Sequence, residues 1–110
     1  MASYDDLCAA IEECSLPFAR IMFDPDDQDG IPQPPFVILM PQRTSNRMGS
    51  NHVVAQFDQY DVELYTRGSD MGLEERVESA LKAHGFAFQR DTTTPGDGIA
   101  ETIWSTYCDR

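Results

Sequence analysis

Several groups of residues in this 110-residue chain have types and spacings that chemistry could use. Asp24, Asp26, Asp27 and Asp29 run up to Gly30, much as the oxygen-rich loop of a calcium site runs up to its glycine. With Gly30 in the sixth position, however, the first and twelfth ligands would be Pro25 and Phe36, which offer no side-chain oxygen. The loop therefore reads as acidic and solvated. Asp61 and Glu63 sit two residues apart, as paired nuclease carboxylates do, but no lysine follows at strand spacing. Alternation with Val62 and Leu64 makes them the solvent side of a strand. Gly96-Asp97-Gly98 precedes an apolar run of strand type and opens no helix, so it is a turn and not a dinucleotide loop. Cys8, Cys14 and Cys108 have no C-x-x-C spacing, and His52 and His84 read as a strand-start and a helix-end residue. No serine stands in a G-x-S-x-G elbow. The expectation is a protein with no catalytic residue, no metal and no cofactor.

The elements that carry these residues follow from periodicity and punctuation. Ser3 caps a first helix with Asp5 and Asp6 in its first turn, where the helix dipole favours negative charge. Leu7, Ala10, Ile11 and Cys14 form its apolar stripe, and Ser15-Leu16-Pro17 ends it. A strand is predicted over 18–23, then a loop over 24–35, then a buried strand over 36–40 that Pro41 closes. Residues 42–51 read as a second loop. The longest strand runs over 52–66. Its apolar residues begin as Val53, Ala55 and Phe57 and then change phase to Tyr60, Val62 and Leu64. That shift predicts a bulge, a bend or a change of partner near Asp58-Gln59. Ser69 or Asp70 caps a second helix whose stripe is Leu73, Val77, Ala80 and Leu81, with Gly85 just past its end. Strands over 86–92 and 99–108 flank a turn over 93–98.

The order α-β-β-β-α-β-β predicts a single α+β domain spanning 1–110, with a mainly antiparallel sheet and both helices packed on one face. The other face must be solvated or buried against another molecule. A chain this long has an expected radius of gyration of roughly 13 Å.

Charge excludes whole classes of function. Nineteen acidic against eight basic residues leave a formal net charge of −11. Such a field repels nucleic acid and anionic membrane surfaces, and no basic block exists to neutralise phosphates. Apolar runs are far too short to span a bilayer. The acidic start, Met-Ala-Ser-Tyr-Asp-Asp, is unlike a signal peptide, and three cysteines suit a reducing cytoplasm.

Taken in succession, several segments resemble one family. They are Leu16-Pro17-Phe18-Ala19, Pro34-Pro35-Phe36-Val37-Ile38-Leu39 and Asn51 at the head of the long strand. Tyr60-Asp61-Val62-Glu63-Leu64-Tyr65-Thr66 and Leu73-Glu74-Glu75-Arg76-Val77-Glu78-Ser79-Ala80-Leu81 ending at Gly85-Phe86 complete the series. This resembles the small tail-terminator, or tail-completion, proteins of long-tailed bacteriophages and prophages, often called minor tail proteins. The resemblance implies a subunit of a hexameric ring that caps the tail tube, ends its growth and joins tail to head. Its partners would be further copies, the tail-tube protein and the head connector or head-closure protein. DNA would pass through the ring without being specifically bound. The expected location is the virion's head–tail junction, and the host cytoplasm during assembly.

If such a ring forms, Phe57, Tyr60, Tyr65 and Trp104 are expected at subunit contacts, since aromatic residues are enriched at interface cores. Arg43 and Arg47 would pair with an acidic loop or a tail-tube partner, and Asp24, Asp26, Asp27 and Asp29 would face the lumen. Other readings are a head-closure or connector protein at the same junction, a small acidic protein-binding domain, and a metal-dependent enzyme.

Overall fold

A computed structural model of the chain describes residues 2–28, 30–49 and 52–110, with side chains at 52–54 outside the description. Helix α1 (Tyr4–Glu13) starts at Ser3, whose hydroxyl accepts from the Asp6 N–H while the Asp6 carboxylate accepts from the Ser3 N–H. This reciprocal pair satisfies two of the donors that a helix start leaves open. Helix α2 (Met71–Ala83) starts at Asp70, which accepts from the Leu73 N–H at 3.0 Å. At its end Gly85 takes φ +86°, and the N–H groups of Gly85 and Phe86 reach back to the carbonyls of Lys82 and Leu81. Such a left-handed termination favours glycine.

Five strands form one sheet in the order β1-β2-β3-β5-β4. They are β1 (Phe18–Arg20), β2 (Phe36–Gly49), β3 (His52–Arg67), β4 (Phe88–Gly96) and β5 (Ile99–Asp109). Only β1 and β2 run parallel. Both helices cover the same face, as the pattern predicts. Leu7, Ile11, Val77 and Leu81 from the helices meet Val37, Leu39, Val62, Leu64 and Trp104 from the sheet, and all are fully buried.

Four boundaries differ from expectation. The first strand stops at Arg20 and does not run to 23. The Met22 N–H donates to the Arg20 carbonyl at 2.9 Å across Ile21, whose φ is +73°. This is a γ-turn of the strained kind, held at a β-branched residue. Second, Pro41 does not close β2. By that point β1 has ended, so β2 is an edge strand and the missing N–H leaves no partner unmatched. Residues 42–49, expected as loop, continue β2 and pair with β3. Third, the bulge near Asp58-Gln59 lies on β2: Pro41 faces Tyr60 and Arg43 faces Gln59, leaving Gln42 as the extra residue. A second irregularity further out, between Arg47 and Met48, leaves Val54 of β3 as the extra residue. Strand β3 pairs with β5 from Phe57 to Arg67 without a shift. The change of phase at 58–59 is therefore a change of face, with Phe57 opposite to Tyr60, Val62 and Leu64. Last, β4 begins two residues late and reaches Gly96, with Asp97 and Gly98 at φ +56° and +74° making the two-residue hairpin turn.

The long β2–β3 hairpin outruns the rest of the sheet. Strand β5 ends opposite Phe57, so beyond it β2 and β3 form a two-stranded ribbon. The radius of gyration is accordingly 15.0 Å and the molecule measures 51 × 31 × 25 Å.

Trp104 is the chain's one tryptophan and is fully buried, so its fluorescence reports directly on the core. Leu39→Ala is expected to cost about 2–5 kcal/mol in urea unfolding followed at Trp104. Thr92→Ala, at an exposed position of the edge strand β4, is expected to change stability by no more than about 0.5 kcal/mol in the same measurement.

Candidate functional site

The face of the sheet without helices holds the unexplained surface. Along its length it changes from an apolar groove, through a half-buried acidic strip, to a basic ribbon.

The groove lies where β2 begins. After the turn at Ile21 the chain folds back over this face, and the Phe23 ring meets Phe36 edge-on at 5.5 Å. Phe36 in turn stacks on Tyr65 at 5.1 Å. Arg67 donates to the Gln33 side chain at 2.5 Å and pins the far end of the same connection. Ile21, Met22, Phe23, Pro25, Ile31, Phe36, Ile38 and Tyr65 line an open hollow of about 340 Å³. Ile21, Met22 and Ile31 are 43%, 68% and 60% exposed, which is unusual for large apolar side chains gathered together. The exposed Asp24, Asp26 and Asp27 stand beside this groove in sequence. Asp24 accepts from the Asp26 N–H and Asp27 from the Gln28 N–H, so local turns hold the loop. Asp29 lies outside the described residues.

The central strip carries Asp61 and Glu63 of β3 and Glu101 of β5. Each accepts from a neutral hydroxyl: Ser105 to Asp61 at 2.9 Å, Tyr65 to Glu63 at 3.2 Å and Thr93 to Glu101 at 2.7 Å. None is ion-paired among the described residues. Burial, and then the charge of Glu101, hold the Glu63 carboxyl above its ordinary range. Burial also raises the Tyr65 hydroxyl, with the Glu101 and Glu63 carboxylates beside it. Among the described residues no three His, Cys, Asp or Glu side chains are placed to hold a metal ion.

The ribbon has the opposite charge. From residue 30 to residue 57 there is no carboxylate, and Arg43 and Arg47 are there. The remaining chain carries all 19 acidic residues against six basic ones. Both arginines are exposed on the helix-free side by alternation with Phe57 and Gln59, Arg47 in the ribbon itself and Arg43 at its base where β5 still pairs, and neither is ion-paired among the described residues. Asp58, opposite Thr44 in the hairpin, accepts from it at 2.7 Å and lies 3.8 Å from Arg110.

Two of the four aromatic residues expected at subunit contacts belong instead to the core. Trp104 is 0% exposed and Tyr60 4%. Tyr60 stacks on Tyr4 at 5.0 Å and its hydroxyl accepts from Arg20 Nε at 3.1 Å. Strand alternation turns both residues toward the helices, which is why they cannot meet a neighbour. Phe57 and Tyr65, of the other phase, are half-buried on the helix-free face. The groove's rim was not legible, because Ile21 reads as strand interior and Ile31 as a lone apolar loop residue. A cue for the latter is an isoleucine held between Gly30 and Pro32.

The remaining charged contacts have structural roles. Glu74 is buried at the start of α2 and is paired with Arg90, which also reaches Glu78 at 3.2 Å. Arg76 donates to the Cys14 carbonyl at 2.8 Å, capping the end of α1. The cysteines are free, and burial pushes the Cys108 thiol up to about 12. A thiol held protonated in this way is a poor nucleophile.

Glu63 gives a pH prediction with a definite sign. Its folded-state pKa is raised, so its contribution favours folding below its unfolded pKa and is lost as pH rises through the folded value. Glu63→Gln keeps an acceptor for Tyr65 and removes the charge. It is expected to raise the urea midpoint at pH 7 and to leave it unchanged below about pH 4, where both states are protonated. Removing Arg90 strands the Glu74 carboxylate, so Arg90→Ala is expected to cost about 1–3 kcal/mol at pH 7. No protein-family model matches the chain, and no curated protein matches it in sequence.

Proposed function

We propose that this chain is a ring-forming structural subunit of the tail-terminator kind, closing a finished phage tail tube and joining it to the head. The carrying observation is the division of surfaces. One face of the sheet is spent on the helices, and the other runs open from an exposed apolar groove to a projecting basic ribbon. Two unlike patches on one molecule suit heterologous contacts, in which each copy offers one patch and receives the other, and such contacts give a ring where the rotation between copies closes. The order of segments that resembles the tail-terminator proteins supports the same reading. So does the charge, since a ring with a net −11 on every subunit lets DNA slide past without holding it.

Light scattering after size exclusion, over a range of protein and salt concentrations and with negative-stain images, tests this. The expected result is closed rings of six with a central hole, in solution or on the ends of isolated tail tubes. A chain that stays monomeric at every concentration and adds nothing to tail tubes overturns the proposal. That outcome favours a small acidic protein-binding domain instead.

A further inference from the structure

Two surface features of this chain are complementary, and no single copy can bring them together. The groove carries exposed Ile21, Met22 and Ile31 over a floor of Phe36, Ile38 and Tyr65, with Asp24, Asp26 and Asp27 next to it in the chain. The hairpin carries exposed Arg43 and Arg47 on its helix-free face, Arg47 within the two-stranded ribbon and Arg43 at its base. Acidic on one side and basic on the other, the two patches match in charge. The groove sits at one end of the hairpin, Arg43 about halfway along it and Arg47 near the other end. Phe36, on the groove floor, pairs with Tyr65 at one end, and Gly49 pairs with His52 at the other. At a strand rise of about 3.3 Å per residue these ends are roughly 43 Å apart. The hydrogen-bonded ladder between them keeps the hairpin from folding back on itself.

We infer that the helix-free face of the ribbon and its base in one copy docks at the groove of the next, with Arg43 and Arg47 against Asp24, Asp26 and Asp27. This gives the ring reading above its joint, and it rests on that reading. The contact is head-to-tail by construction, because donor and acceptor are two different patches of the same chain. Burying Ile21, Met22 and Ile31 supplies the apolar part, and the charges set partner and register. The aspartates expected to face a lumen then become interface residues.

A charge-swap experiment decides this. Arg43→Glu/Arg47→Glu reverses the ribbon, and Asp24→Arg/Asp26→Arg reverses the groove side; all four residues are exposed, so folding is checked simply by circular dichroism. Wild-type protein is expected to self-associate, by sedimentation velocity, more weakly as salt rises. Each double variant alone is expected to lose about tenfold or more in association, as like charges then meet. Mixing the two variants is expected to restore it, because each reversed ribbon then finds a reversed groove. Ile31→Glu, which alters the groove without touching the ribbon, is expected to weaken wild-type association as well. Rings that persist in both double variants, or variants that fail to rescue one another, overturn the joint and leave the ring reading standing. Wild-type protein that remains monomeric at every concentration and does not add to tail tubes overturns both.

Discussion

Two helices of 10 and 13 residues have to cover a sheet whose central strands are 14 and 16 residues long. At their different rises the helices reach only about 15–20 Å, while the strands reach about 45–50 Å. Most features of the molecule descend from that mismatch. Where helices and sheet overlap, the apolar stripe around Trp104, Val62 and Leu39 is fully buried. Beyond the overlap β2 and β3 have only each other, and they project as a ribbon. On the other side of the sheet no helix is available at all, and only the connection after β1 folds over one corner.

That connection shows how local strain and tertiary packing meet. Continuing β1 past Arg20 would carry Ile21 and Phe23 onward along β2. The γ-turn at Ile21 instead brings Phe23 back to Phe36, at the cost of a left-handed conformation in a β-branched residue. The aromatic contacts Phe23–Phe36–Tyr65 and the bond from Arg67 to Gln33 hold the result. Ile38 is thereby buried on the helix-free face, while Ile21, Met22 and Ile31 stay exposed. The groove is thus a by-product of closing a parallel crossover without a helix.

Electrostatics reinforces this division. The half-buried Asp61, Glu63 and Glu101 are satisfied by hydroxyls and, among the described residues, not by cations, which keeps the middle of the face acidic. The chain's basic residues elsewhere serve internal contacts: Arg90 holds Glu74, Arg76 caps α1 and Arg110 lies beside Asp58. Arg43 and Arg47 have no such duty among the described residues, and they sit on the one long acid-free stretch.

Both helices, with their caps, stripes and the Gly85 terminus, were legible in the sequence because helix signals are local: a cap, a period and a stop lie within a few residues of one another. The α+β class and the element order were legible for the same reason. Where strands end was not, because a strand's extent depends on its partner. The Arg- and Asn-containing stretch 42–49 has no apolar alternation, and only pairing with β3 makes it a strand. Pro41 reads as a stop in isolation, and only the earlier end of β1 makes it harmless. The assignment of Phe57 and Tyr65 to one face and of Tyr60 and Trp104 to the other likewise required the register. A pattern in one strand counts odd and even, but which parity faces the core is decided by the helices packed on the sheet. The groove and the ribbon are properties of that tertiary choice, while the charge that separates them was written in the sequence from the start.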